Sequence, residues 1–323
     1  MARVIIDLNR LDLSHPNAPA QNAQNLAAAL LRRGAHEYQV LEPGQPGKSA
    51  KGDVMLSLAG SSPRFGLRNL FLVSKLDHLL RPRAGGPLRL VRKSWQVALV
   101  TSRADLLLAP SHAVRDALLS YLRVAPERIA ICPPGLEPGF VRPPLAEARA
   151  TLDRLGLEGR YLLLFGEEVG PVLEAWEGTE GRSGVRLVRA VDLPTLARGD
   201  LRSALSGALA CLYCGVGNGV PLGPLEAMAC GSPPIVLGDA AYPEVVRDGG
   251  LSVRPTAAVA DWRESIAAIL RSAKLRTDLS QRARSLAEVF TADRAARLLE
   301  PLLDPGPKEE ERVDTREQDR RES

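Results

Sequence analysis

The sequence predicts an α/β protein built from two successive parallel-sheet units. Three observations carry that expectation. The chain opens as strand, helix, strand, which implies parallel pairing with helices on both faces. A Pro-rich break at Pro138–Pro144 is followed by a second run of the same alternation. Residues 213–255 then set a Gly- and Pro-rich loop between an apolar run, ALACLYC, and a short helix. In an open α/β sheet, that arrangement builds a ligand site at the C-terminal edge of the strands.

Taken in order, Arg3–Leu8 reads as the first strand and Gln21–Arg33 as an Ala/Leu-rich helix stopped by Gly34. Strands follow at Glu37–Leu41 and Asp53–Leu58. Asn69–Asp77 is mostly apolar, and Pro87–Arg103 reads as a helix carrying Arg89, Arg92 and Lys93 beside Trp95. Asp105–Pro110 is a strand, and Ser111 is placed to cap a helix over Ala113–Leu122. Ile129–Cys132 closes the first unit. The second begins with a helix at Leu145–Leu155, a strand at Tyr161–Phe165, a helix at Val172–Glu177 and a strand at Val185–Val188. A helix at Asp200–Ser206 leads into the 213–255 stretch. There Leu222–Cys230 is a helix, Pro233–Leu237 a buried strand and Tyr242–Val246 a further helical turn. Helices at 257–272, 275–290 and 293–303 end the ordered chain. The tail from Pro305, PGPKEEERVDTREQDRRES, has no apolar anchor and is expected to be disordered. The expected division is 1–140, 141–288, a cross-over helix at 289–304 and the tail 305–323.

Composition narrows the classes. At 323 residues with 45% hydrophobic and 25% charged residues, the chain has material for two ordinary cores. MARVIIDL is interrupted too early by Asp7 and Asn9 to resemble a leader peptide. No apolar run approaches the ~20 residues of a membrane span, so a cytoplasmic protein is expected. Met1–Arg142 carries 19 Lys/Arg against 10 Asp/Glu, a balance of +9, while the remainder balances at −5. A basic first unit suits contact with an anionic membrane face, and equally a solvated surface. No motif points to nucleic acid. Cys211 and Cys214 have metal-site spacing, yet residues three apart on a strand face opposite ways, so buried apolar thiols are expected.

Several segments resemble family 4 retaining glycosyltransferases of the GT-B fold, the mannosyltransferase-like group. They are Asn25–Gly34, Ala109–Asp116, Ala125–Ile129, Pro133–Pro138, Pro224–Gly231 (PLEAMACG), Pro243–Val246, Gly250–Pro255 and Ala287–Asp293. The resemblance implies two Rossmann-like domains facing across a cleft, with a C-terminal helix crossing back to the first. It implies a nucleotide-diphosphate sugar as donor substrate, a glycan or lipid acceptor, and neither cofactor nor metal. Donor binding would fall to Gly166, Gly219, Val220, Leu222, Glu226 and Glu244, with Glu226 near the ribose.

The chain also departs from that family. Of the family's two glutamates eight positions apart, the second matches Glu226 and the first falls at Asn218, which keeps hydrogen-bonding capacity without charge. Gly-Phe-Gly becomes Gly219-Val220-Pro221. The Arg and Lys that neutralise the leaving diphosphate are replaced by Gly166-Glu167-Glu168-Val169, although cations there supply much of the catalysis. Gly166–Val185 is short enough to have lost one helix–strand unit, and the first loop, Pro16–Asn22, lacks glycine. The acceptor-side His falls at Leu76, beside Asp77, with His78 two positions on; Asn218, Asp77 and His78 are the candidate catalytic residues. Two functions follow: an active transferase with a diverged donor site, or an inactive binding or scaffold subunit that partners an active glycosyltransferase.

Overall fold

In a computed structural model, the described residues are 1–9, 11, 18–43, 52–58, 66–73, 101–194, 196–215, 220–238 and 241–305. The first domain is a six-stranded parallel sheet in the order β2-β1-β3-β4-β5-β6, from β1 (Arg3–Asp7), β2 (Glu37–Leu41), β3 (Val54–Ser57), β4 (Arg68–Leu72), β5 (Leu106–Ala109) and β6 (Ile129–Ile131). Helix α1 (Ala18–Arg33) connects β1 to β2, and α2 (His112–Leu122) connects β5 to β6. Every residue of β3 and β5 is buried, as expected of central strands covered on both faces.

The second domain contains α3 (Leu145–Arg154), β7 (Arg160–Phe165), α4 (Gly170–Glu177), β8 (Val185–Arg189), α5 (Arg198–Gly207) and β9 (Cys211–Tyr213). It continues through α6 (Leu222–Ala229), β10 (Pro234–Leu237), α7 (Tyr242–Val246), β11 (Leu251–Val253), α8 (Ala258–Arg271) and α9 (Ala273–Ala287). Its five parallel strands run β11-β10-β9-β7-β8. The chain reverses direction across the sheet between β7 and β9, and ligand crevices of open α/β sheets form at such switch points. Among the described residues the sheet has five strands, with β8 at one edge.

Helix α10 (Ala292–Leu299) returns to the first domain and packs on α1. Ala292, Ala295, Ala296, Leu299 and Leu303 join the core formed by β1, β3 and α1. Arg33 meets Glu300 through two hydrogen bonds of 2.5 and 2.8 Å, and Arg32 meets Asp293 at 3.0 Å.

Boundaries differ from the sequence reading mainly at ends. Helix α1 starts at Ala18, three residues early, because Pro19 fits a first helical turn, where its missing N–H has no partner to lose. The closing helices shift by one to four residues. Strands β4 and β11 were not assigned in the sequence reading; each is short and paired in parallel. Cys211 and Cys214 are free and buried, and they enter separate cores on opposite faces of the sheet. Of the helix expected at Pro87–Arg103, residues 101–103 are helical; the rest, like the tail beyond residue 305, lies outside the described residues. No described helix is long and apolar enough to cross a membrane.

The domains are joined by a segment held on three sides. Gly135 donates to Asn22 Oδ1 at 3.0 Å and accepts from Asn25 Nδ2 at 2.9 Å, both on α1. Leu136 donates to Phe290 O at 2.8 Å and accepts from Ala292 N at 2.9 Å. Phe140 is buried in the second domain's core. A Cβ on Gly135 would stand 2.4 Å from Ala292 Cα and 2.5 Å from its nitrogen, both backbone atoms. Gly135→Ala is therefore expected to cost ~2–3 kcal/mol, since overpacking against backbone cannot relax by a rotamer change. Thermal unfolding of the variant checks this.

Candidate functional site

The topological switch point of the second domain lies between β7 and β9. Gly166, just past β7, has φ +120, and a Cβ there would meet Cys214 O at 2.3 Å. Only glycine permits that backbone and that approach. Phe165 and Tyr213, the last residues of the two strands, stack with centroids 4.9 Å apart and planes at 9°. Tyr213 donates to Gly223 O at 2.7 Å, fixing the start of α6. Val220 and Leu222 are buried in the core beneath the loop.

Glu226 sits in the second turn of α6 and is 7% exposed. Arg198, at the start of α5, brings Nη1 to 2.8 Å from Glu226 Oε1 and donates from Nε to Glu137 Oε1 at 2.8 Å. The Arg198 guanidinium also lies 4.3 Å above the Phe140 ring. The approach to Glu226 has charge-pair distance without hydrogen-bond alignment, since Glu226 Oε1 and Arg198 Nη2 are both buried without a hydrogen-bond partner. Burial lifts the Glu226 carboxyl to about 7, against the lowering pull of Arg198. Burial pulls Arg198 down, but Glu226 and Glu137 outweigh it and hold the guanidinium above its ordinary value. The α6 site is thus a buried charge pair held at 2.8 Å.

Glu244, on α7, reaches across to the first domain. Its carboxylate accepts from His112 N at 2.8 Å and Ala113 N at 2.6 Å, while Ser111 Oγ accepts from Val114 N at 3.2 Å. The free amides at the start of α2 are thereby met by a carboxylate from the second domain and by the predicted Ser111 cap. That cross-domain role was not legible in the sequence, since the two partners lie far apart along the chain. Arg198 was missed as well; it precedes the sequence-predicted start of its helix, and nothing in the spacing links it to Glu226.

Among the expected donor-binding residues, Gly166, Val220, Leu222 and Glu226 gather at or beneath the C-terminal edge of the second sheet. Glu244 turns toward the first domain. Gly219 and the candidate catalytic residues Asn218, Asp77 and His78 lie outside the described residues. Glu167 and Glu168 follow Gly166 at the start of α4, where the resemblance called for cations. The buried thiols of Cys132, Cys211 and Cys230 are pushed up to about 12 by burial, as inert core residues are.

The sequence profile of the glycosyl transferases group 1 family matches residues 193–286, the part holding α5, β9, α6 and β10. No curated protein sequence matches the chain. Among solved structures, it is similar to WaaG, a glycosyltransferase involved in lipopolysaccharide biosynthesis, with TM-score 0.69 and 14% identity over 94% of this chain and 100% of that one. Sucrose-phosphate synthase from Thermosynechococcus elongatus gives TM-score 0.72 and 16% identity over 94% and 98%. HepE of Anabaena, in complex with UDP and glucose, gives 0.67 and 12% over 94% and 99%. At these identities the likeness shows the fold, which is GT-B: two Rossmann-like domains with a helix crossing back.

Two outcomes follow from the geometry. A carboxyl lifted from its ordinary ~4.3 to about 7 keeps its proton longer in the native state than in the unfolded chain. Its contribution is fully present below pH ~4.5 and is lost as pH rises through ~7. Chemical unfolding across pH 4.5–7.5 is expected to show that decline, and E226Q to remove it. Loss of the Glu244 cap in E244A is expected to cost ~1 kcal/mol, in the range of helix capping, and to loosen the contact between the two domains, read as a larger radius of gyration by small-angle scattering.

Proposed function

We propose that the chain is a nucleotide-sugar-dependent glycosyltransferase that moves a hexose, with retention, from a nucleotide-diphosphate sugar to a glycan or lipid acceptor. The observation that carries this reading is the Glu226 carboxylate. It lies in the first turns of α6, beside the switch point of the second sheet and within the family-matched segment, with Oε1 held by Arg198 at 2.8 Å. A ribose hydroxyl is the kind of donor that a carboxylate so oriented would take. The α6 amino end adds a partial positive charge suited to a phosphate. HepE of Anabaena has a structure in complex with UDP-glucose, which supports a nucleotide sugar as donor for a chain of this fold.

In this reading, Gly166 lets the backbone come close at the crevice, and Val220 and Leu222 form the apolar floor. Asn218, at the position of the family's first glutamate, holds a sugar hydroxyl. Asp77 and His78 act from the acceptor side, and the leaving diphosphate takes the acceptor's proton, so few side chains carry the chemistry. The protein works in the cytoplasm, at the inner membrane face where the basic first domain meets anionic lipid.

One observation favours a second reading. Glu167 and Glu168 stand where the resemblance places cations, and Arg198 is already shared between Glu137 and Glu226. Such a site would bind weakly and turn over poorly, as in a scaffold subunit working beside an active transferase. Titration calorimetry with UDP, GDP and ADP tests the nucleotide site: one of them is expected to bind with Kd below ~1 mM, about −4 kcal/mol. Glu226→Ala is expected to weaken that binding at least ~10-fold, by roughly 1.4 kcal/mol. No binding of any of the three at millimolar concentration sinks the donor-site reading. Transfer of labelled sugar from the matching donor to isolated membranes separates the enzyme from the scaffold.

A further inference from the structure

Arg198 makes more contacts than a charge partner for Glu226 requires. Its Nη1 stands 2.8 Å from Glu226 Oε1, its Nε donates to Glu137 Oε1 at 2.8 Å, and its flat face covers Phe140. Glu137 and Phe140 belong to the segment joining the domains. One turn further along α5, Arg202 donates to Gly139 O at 3.0 Å and approaches Glu147 at 3.5 Å. The same segment is held two residues earlier by Asn22 and Asn25 of α1 through Gly135. A continuous set of polar contacts therefore runs from α1 of the first domain, through the joining segment, to the carboxylate on α6.

We propose that Arg198 is a positioning residue: it holds the Glu226 carboxylate from α5 and ties it, through Glu137 and Phe140, to the segment that joins the two domains. The consequence is that capture of a ligand hydroxyl by Glu226 and the set of the interdomain joint are coupled. This rests on the reading of Glu226 as the nucleotide contact. The forked guanidinium suits the task, because one planar group can face two carboxylates and stack on a ring at once. An ammonium in its place supplies charge to Glu226 without spanning to Glu137 and Phe140.

The surroundings leave Arg198 as the dominant charge on Glu226. Glu137 opposes it from the joining segment, and Tyr213 of β9 and Cys230 beyond α6 are neutral groups that feel the carboxylate. Helix α1, packed on another side of α6, carries no titratable residue from Ala18 to Leu31. Strand β10 has none either. On α7, Glu244 is engaged with α2. On α9, Arg284 lies against Gly231, past the end of α6, and Arg202 acts there on Cys230.

The test pairs two measurements on wild type, R198K, R198Q and E137Q. Affinity for the tightest of UDP, GDP and ADP is taken by calorimetry from pH 5.5 to 8.5. Deuterium uptake at the backbone amides of residues 136–141 is taken without ligand. Wild-type affinity is expected to rise through pH ~7 as Glu226 ionises. In R198Q the midpoint is expected to move up by about one pH unit, since a neighbouring arginine lowers a carboxylate by ~1–3, with ~10-fold weaker binding at pH 7. R198K is expected to restore the midpoint but leave exchange at residues 136–141 raised, and E137Q to raise exchange with little change in midpoint. An unchanged midpoint and unchanged exchange in folded R198Q overturn the proposal; if R198Q does not fold, the same result in R198K and E137Q together does so. If the wild type binds none of the three nucleotides, the donor-site reading fails separately. Exchange then decides the tie alone: faster exchange in R198Q or E137Q supports it, and unchanged exchange refutes it.

Discussion

The arrangement of this molecule depends on one narrow passage, where the chain leaving the first domain meets the chain returning to it. Leu136 pairs by backbone with Phe290 and Ala292, and Gly135 lies so close to Ala292 that no side chain fits between them. Parallel sheets offer no hairpin between domains, so their relative placement must come from crossings of this kind. The same passage orders its neighbours. Asn22 and Asn25 are buried on α1, where amides would otherwise cost free energy, and they are satisfied by the backbone of Gly135. From there the chain runs to Phe140, under Arg198, and so to the carboxylate at the candidate site.

The buried pair of Arg198 and Glu226 has the opposite character. Backbone pairing at Leu136 is satisfied at both ends, whereas the charge pair leaves an oxygen and a nitrogen unaligned. A pair taken out of water repays its desolvation only with good geometry and further hydrogen bonds. Burial raises the proton affinity of Glu226 even against the pull of Arg198, and carboxyls perturbed in this way gather at functional sites.

Much of the fold was legible because it rests on local rules. Alternating strands and helices, Ser111 before α2, and Gly34 after α1 all read directly, and the structure keeps them. The opposite facing of Cys211 and Cys214 follows from strand periodicity alone. Strands β4 and β11 were illegible for the converse reason: they are short, and tertiary pairing rather than pattern selects them. At the site, Glu226 was readable from the PLEAMACG segment, while Arg198 and the Glu244 cap were not. Both involve contacts between residues distant in sequence, and a charged residue on a helix most often reads as surface.

Glu244 supplies the anion that the α2 amino end attracts, so the contact between the two domains is stabilised from within the chain. Arg198 supplies the cation that Glu226 requires, and in doing so is withdrawn from any diphosphate. Binding and turnover therefore draw on different parts of the site. In the proposed reading, a carboxylate and the close backbone approach at Gly166 hold a nucleotide, but departure of a diphosphate builds charge that only preorganised donors or cations can meet. Glu167 and Glu168, ahead of α4, work against that in this reading. A site with this balance would hold its donor better than it releases the diphosphate, and the domain joint, tied to Glu226 through Arg198, would be the element through which ligand capture reaches the rest of the molecule.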